Sequence, residues 1–463
     1  LVNFFRAGGR GAWDRGWLAH EEGFTMTVRK HFKQLVRERM TKTGESYTSA
    51  RRQILKDTPN ESDPATRWHV AGSIPGTTAL RVLLAAAGVR DPHTNAPFTE
   101  AMLFGIAGGV GIGVAAFHYA KENFSSFFLA GRHLWFDDKS YLENALKAFG
   151  LKATIKESAG AKTAEKQLRD VLADGPCVAW VDMALLPHRA LPAEFAGGGY
   201  HIVPIYRIDD DAKAAIIGDL TDEPIEIPLT DLAAARARIK KQAHRLLSVP
   251  KGAAKFDLAA LIRDGLRICR AMTAKPGKGP LAWSTLESLK RCRDRMANSK
   301  DKESWEKLFP PGPNLWRALT WINLTVEWYG TGGGLCRCMM ADFLNEAADA
   351  LADDRLKIVA QQYTSLGHEW SALADTALSK GVPAFRKAKE QQARYAELLS
   401  TNGSIGEKRE VWGKLDALAA EVKACFPLND AQAADLRAEL QGRMTRIIAL
   451  EEAALAEIAK LVS

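Results

Sequence analysis

A chain of 463 residues is too long for one ordinary core and predicts two or three domains. Hydrophobic residues at 46% and charged residues at 25% are ordinary for a soluble globular protein, and a formal net charge of +8 is too small over this length to argue for nucleic acid on bulk charge. The six cysteines are scattered, and Cys336-Arg337-Cys338 has no second pair or neighbouring histidine, so neither a zinc site nor a disulfide framework is expected; reduced thiols in a cytoplasmic protein are.

Residues 1–25 lack the apolar core of a signal peptide, and Met26 opens a more regular segment. The expectation is a disordered or non-native leader before a start at Met26. From Met26 to Lys56 nine Lys/Arg face two Glu. Helical spacing of Val28, Phe32, Leu35, Val36 and Met40, then of Tyr47, Ala50, Ile54 and Leu55, predicts a basic helical arm over 26–57. Such an arm either packs on the main body as a solvated face or offers a surface to nucleic acid or an acidic partner. Residues 57–64 form a linker rich in Pro, Asn and Asp.

From about Trp68 to Pro250 the pattern is mixed α/β. Leu80, Leu83, Leu84 and Ala87 share one face of a helix over Thr77–Ala87 that stops at Gly88. The uncharged run Ala101–Phe117 has 17 residues, five of them glycine, with Glu100 and His118 at its ends. It is at the lower limit of length for a membrane span, is glycine-rich and has no aromatic or basic belt, so a buried glycine-rich segment is predicted. Its glycines match neither a dinucleotide fingerprint nor a phosphate loop. Helices are expected over Tyr141–Phe149 and Ala164–Ala173. Strands are expected over Cys177–Val181, His201–Tyr206 and Ala214–Ile217, the last two joined by a turn at Asp209-Asp210-Asp211 that brings His201 towards Asp219. Cys177 in its apolar run reads as an inert buried thiol. Beyond Lys251 strand signals nearly vanish, and residues 255–463 read as helical, with loops at 275–280, 309–313 and 400–403. The last helix, from about Ala431, carries Leu436, Leu440, Met444, Ile447, Ile448, Leu455 and Ile458, a pattern for a bundle or a coiled-coil seam.

Several stretches together resemble the butirosin biosynthesis protein H family. They are Thr77-Thr78-Ala79-Leu80-Arg81-Val82-Leu83-Leu84, Glu100-Ala101-Met102-Leu103-Phe104-Gly105, Phe128-Leu129-Ala130-Gly131-Arg132, Trp180-Val181-Asp182 with Leu186-Pro187, His201-Ile202-Val203 with Asp219, and Asp231-Leu232-Ala233-Ala234-Ala235-Arg236. Further on, Thr331-Gly332-Gly333-Gly334-Leu335 with Arg337 and Asp342-Phe343-Leu344 look like that family's second domain. The resemblance implies a papain-like (cysteine-peptidase-like) α/β domain over 65–250, followed by an all-α helical domain over 255–463. It implies acyl transfer from a carrier-protein thioester to an amine, by a cysteine at a helix N-terminus that a histidine–acid pair activates.

The family pattern of His-Cys, two residues, then Thr-Ala-Leu sets Ile74 and Pro75 where the histidine and cysteine belong. Proline is no nucleophile, though it suits the first helical turn. The candidate catalytic set is therefore a displaced nucleophile, Ser73, with His201 as base and Asp219 orienting it; Ser73 also fits a capping or turn residue. Glu100, Gly108 and Gly109 are candidate substrate-binding residues, Glu100 with a helix-capping alternative. No metal or cofactor is implied. The functional expectations are acyl-transfer or amide-bond chemistry by a displaced serine, a non-catalytic binding protein for a peptide, an acyl-carrier protein or a small amide, or a regulatory contact with nucleic acid through 26–57.

Overall fold

A computed structural model describes residues 34–42, 50, 54, 67–197, 199–252, 254–271 and 284–462. The leader expected over 1–25 and the loop at 275–280 lie outside these residues, as does most of the arm at 26–57. Within the arm, residues 34–42 are helical, and Val36 and Ala50 pack with Met40, Ile54 and Trp328.

The N-terminal half is mixed α/β and the C-terminal half is helix-rich. Helix α1 (Pro75–Ala86) begins with proline, whose fixed φ suits the first turn and whose missing N–H costs the helix nothing there. Leu80, Leu83 and Leu84 bury its inner face. Gly88 ends it at φ +79, with Val89 N–H returning to the Leu84 carbonyl, a Schellman closure.

The uncharged glycine-rich run is buried through Ala115 but is not one element. It comprises α2 (Glu100–Ile106), a turn at Gly108 and Gly109 with φ of +105 and +61, and the first part of β1 (Val110–Tyr119). Strand β1 pairs antiparallel with β2 (Phe124–Arg132) as a separate two-stranded sheet. Sequence analysis does not find this hairpin, because β1 has two glycines in its first four residues and buries six consecutive positions rather than every second one.

Helix α3 (Asp138–Ala148), strand β3 (Thr154–Lys156), helix α4 (Ala161–Leu172) and strand β4 (Cys177–Asp182) follow. Then come β5 (Tyr200–Asp209), β6 (Ala214–Ile217), β7 (Ile225–Pro228), α5 (Leu229–Arg238) and β8 (Leu246–Ser248). They build a six-stranded antiparallel sheet of order β3-β8-β4-β5-β6-β7. The β5–β6 hairpin is the one expected from Asp209-Asp210-Asp211. Strand β4 shows the two-residue period of a strand buried on both faces: Val178 and Trp180 join the large core, while Cys177, Ala179 and Val181 join a smaller one on the other face.

The helical half comprises α6 (Leu258–Ala271), α7 (Leu286–Ala297), α8 (Trp305–Leu308), α9 (Pro313–Asn323), α10 (Arg337–Leu351), α11 (Arg355–Ala377), α12 (Pro383–Ser400), α13 (Ile405–Ala424) and α14 (Asp430–Val462). The apolar face of α14 packs within the bundle, against α11 and α7. The two halves share one core, running from Ile74 to Ile458. Gly105 on α2 lets Phe343 of α10 lie where any Cβ would collide with its ring, and Gly131 does the same for Leu335. Near the boundary expected at 250–255 the secondary structure changes, and residues from both sides join the same buried cluster.

Candidate functional site

The start of α1 is held from outside itself. Ile74 precedes the helix with an extended backbone and offers no side-chain cap. The Glu100 carboxylate supplies the acceptors instead, taking the Ile74 N–H at 2.8 Å, the Ser73 N–H at 3.0 and 3.1 Å, and the Thr78 hydroxyl at 3.1 Å. A buried carboxylate at a helix N-terminus is favourable because it meets both free N–H groups and the positive end of the helix dipole. Glu100 itself sits in the first turn of α2, where Thr99 caps the Met102 N–H at 2.9 Å.

On the neighbouring strands, β5 presents His201 and the chain leaving β6 presents Asp219. The His201 Nε2 lies 2.7 Å from Asp219 Oδ1. Two residues that sequence analysis does not single out complete the cluster. Arg189 grips Asp219 with two donors, Nε to Oδ2 at 2.7 Å and Nη2 to Oδ1 at 2.6 Å, and His188 Nε2 reaches Oδ2 at 2.7 Å. Arg189 Nη2 is also 2.8 Å from His201 Nε2. Both nitrogens point at the same carboxylate oxygen, so we assign Nε2–H of His201 as a donor to Asp219, which leaves Nδ1 as the basic nitrogen.

All four side chains are buried. Burial works to raise the Asp219 pKa, but the Arg189 guanidinium and the two imidazoles overcome it and hold the carboxyl well below its usual range. Burial, then the Arg189 charge, pushes His201 down, against the pull of Asp219; burial likewise pushes His188 down. The cluster is therefore a carboxylate–guanidinium pair flanked by neutral imidazoles.

The helical half sets this geometry. His188 and Arg189 occupy a single 3-10 turn that ends at Ala190 with φ +48. The Arg189 carbonyl accepts the Tyr395 hydroxyl of α12 at 2.7 Å, and the His188 carbonyl accepts the Lys408 ammonium of α13 at 2.6 Å. Lys408 is fully buried, and burial followed by the Arg189 charge lowers its pKa to about 8.

A cavity of about 440 Å³ opens between the two halves. Ser73, Pro75, His188, Arg189, His201 and Asp219 lie in its wall on the α/β side. Trp316, Trp321, Trp328, Tyr329, Tyr395 and Trp412 face it from the helical half, while Phe128 and Trp135 come from β2 and the loop after it. This volume is in the range of small-molecule sites.

The structure thus joins His201 to Asp219 and puts Ser73 on the same cavity, but no hydrogen bond links Ser73 to His201. Glu100, Gly108 and Gly109 do not line the cavity. Glu100 is committed to the start of α1. Gly108 and Gly109 make a turn so tight that a Cβ on the first would strike Ile268 and His133, and on the second Met340. Two sequence signals pointed to what was missed: the tryptophans of the helical half, and Leu186-Pro187 immediately before His188-Arg189. Cys177, as expected, is buried in the sheet, which pushes its thiol up to about 12. Among the described residues no cluster of potential ligands could hold a metal ion, and no helix is long and apolar enough to cross a membrane.

Comparison with known families gives two matches. Residues 75–220 match the family described as butirosin biosynthesis protein H, N-terminal, and residues 230–401 match a domain of unknown function, DUF4872. No curated protein matches the chain.

Proposed function

We propose that this chain, which carries a butirosin biosynthesis protein H N-terminal domain over residues 75–220, is a small-molecule-binding protein that keeps a papain-like cleft without cysteine chemistry. One observation carries the proposal: Pro75 occupies the first position of α1, in the wall of the same cavity as the His201–Asp219 pair. A nucleophile at that position would have both a reactive atom and a backbone N–H to steady an oxyanion. Proline has neither. The preceding N–H groups, of Ser73 and Ile74, are already taken by Glu100. What remains is an aromatic-lined cavity with a hydrogen-bonding cluster at one side, which suits binding.

A second reading has one observation in its favour. Because Asp219 engages Nε2, the Nδ1 of His201 is left as a base, and Ser73 is a hydroxyl on the same cavity. Acyl-transfer or amide-bond chemistry would then run through Ser73, with an acyl-carrier protein or peptide delivering the group. Treatment with a fluorophosphonate separates the two. No labelling, together with ligand binding equal in wild type and Ser73→Ala, is the expected result. Covalent labelling of Ser73 that disappears in Ser73→Ala would overturn the binding-protein reading. Nucleic-acid contact through 26–57 is a third possibility with its own test, an affinity that falls steeply with salt and is lost when 26–57 is deleted.

A further inference from the structure

Among the described residues, every arginine and aspartate of the cavity wall is paired with a neighbour in the same wall. Arg189 is bound bidentately by Asp219. Arg132, at the end of β2, pairs with Asp138 at the start of α3. Its other nitrogen is held by the His133 and Leu134 carbonyls at 3.0 and 3.1 Å, and the guanidinium stacks over the Tyr141 ring at 4.4 Å. Among the described residues, the pairs Arg189–Asp219 and Arg132–Asp138 contain all the arginine, lysine, aspartate and glutamate side chains of the wall. The imidazoles of His188 and His201 are kept neutral by burial. The charges of the described wall therefore cancel.

The remaining surface is mostly apolar and rich in aromatic rings. Trp135 turns its indole N–H away to the Ser284 hydroxyl at 3.1 Å, and its ring lies 5.4 Å from that of Phe128. Trp321 meets Tyr329 edge-on at 5.9 Å. These rings offer faces and edges to an apolar body rather than hydrogen bonds. An anion inside would leave water for a cavity whose two guanidiniums already each face a carboxylate. A cation would gain about 0.5–2 kcal/mol from aromatic faces, yet would sit beside two guanidiniums with no free carboxylate to balance it. Desolvating either ion without a partner costs more than that.

We infer that the ligand of this cavity is an uncharged, predominantly aromatic or acyl molecule with one neutral hydrogen-bonding head, such as a carboxamide. The head meets the His201 side of the wall and the body lies among Phe128, Trp135 and Trp321. The inference rests on the binding-protein reading above and adds the ligand's chemical class.

Three probes of one shape and different charge test it: 2-naphthamide, 2-naphthoate and 2-naphthylmethylammonium, measured on the full chain at neutral pH by equilibrium dialysis. The amide is expected to bind roughly tenfold or more tighter than either ion. Ala396→Phe on α12 and Thr320→Phe on α9 each add a ring to the wall, and each should weaken the amide by a similar factor. Circular dichroism identifies whichever variant remains folded as the one to use. If an ion binds as tightly as the amide and a wall variant expels it, the neutral-ligand inference falls while the binding-protein reading stands. Amide binding that both folded variants leave unchanged lies elsewhere and also overturns the inference. Should none of the probes bind, the inference and the binding-protein reading fall together.

Discussion

The Glu100 carboxylate accepts the Ile74 backbone N–H at 2.8 Å, so the helix at the cavity wall is started by a residue 26 positions away. Glu100 also takes the Ser73 N–H and the Thr78 hydroxyl, and it is buried. Replacement by alanine orphans three donors at once. Hydrogen bonds to a charged group contribute about 1.5–3 kcal/mol each, with partial compensation by water. Glu100→Ala should therefore lower unfolding free energy by at least about 2 kcal/mol, while Glu100→Gln, which keeps an acceptor, should lose less. Urea unfolding of the two variants checks the order; equal stability to wild type would refute it.

Asp219 holds Arg189, His188 and His201 together. Asp219→Asn keeps the shape and removes the charge, leaving a buried guanidinium without its counter-ion. Breaking a buried pair from one side costs about 3–5 kcal/mol. Such a loss in urea midpoint is expected, and with it weaker binding of cavity ligands. A variant as stable as wild type would mean that water or Tyr395 compensates Arg189.

Acid should destabilise the fold before the carboxylates titrate. Burial, then the charge of Arg132, lowers the pKa of His133 from 6.5 to about 4, and His188 and His201 are lowered too. With the folded pKa below the unfolded one, the unfolded chain binds more protons in that window. The stability is complete above about pH 6.5 and is lost as pH falls towards 4, by at most about 1.4 kcal/mol per pH unit for each histidine. The depressed Asp219 extends the loss below about pH 4. Urea midpoints at pH 7 and pH 5 should show the decline, and His133→Gln should make it shallower. A midpoint that holds or rises on acidification would contradict this.

A second buried pair ties the last helix to the hairpin. Glu451 of α14 accepts from Arg337 Nε at 2.8 Å and Nη2 at 2.6 Å and from the Trp370 indole at 3.1 Å. Arg337 also donates to the carbonyls of Gly131, Gly111 and Leu335. Glu451→Leu alone should cost about 3–5 kcal/mol. Adding Arg337→Met should recover only part of it, because three carbonyls then lose their donor. Denaturant midpoints around the full double-mutant cycle give the coupling; full recovery would show that the carbonyl bonds contribute little.

Much of the architecture was legible along the chain because it depends on local periodicity. The apolar spacing of α1, the short apolar run Cys177–Val181 and the Asp209-Asp210-Asp211 turn are each carried by neighbouring residues. His201 and Asp219 could be paired for the same reason: one hairpin joins them. The β1–β2 hairpin escaped because glycine carries no side-chain periodicity, and Leu335, which packs on its Gly131, is more than 200 residues away.

The sequence by itself determined that residue 75 is a proline, which has neither a nucleophilic atom nor a backbone N–H, and so what chemistry that position lacks. Only the tertiary structure decided what Glu100 does, that Arg189 and His188 close around Asp219, and that tryptophans from the helical half cover the site. Those are contacts between segments remote in the chain. Their energy comes from burial and charge pairing in a shared interior, and no local pattern encodes which distant side chain will supply the partner.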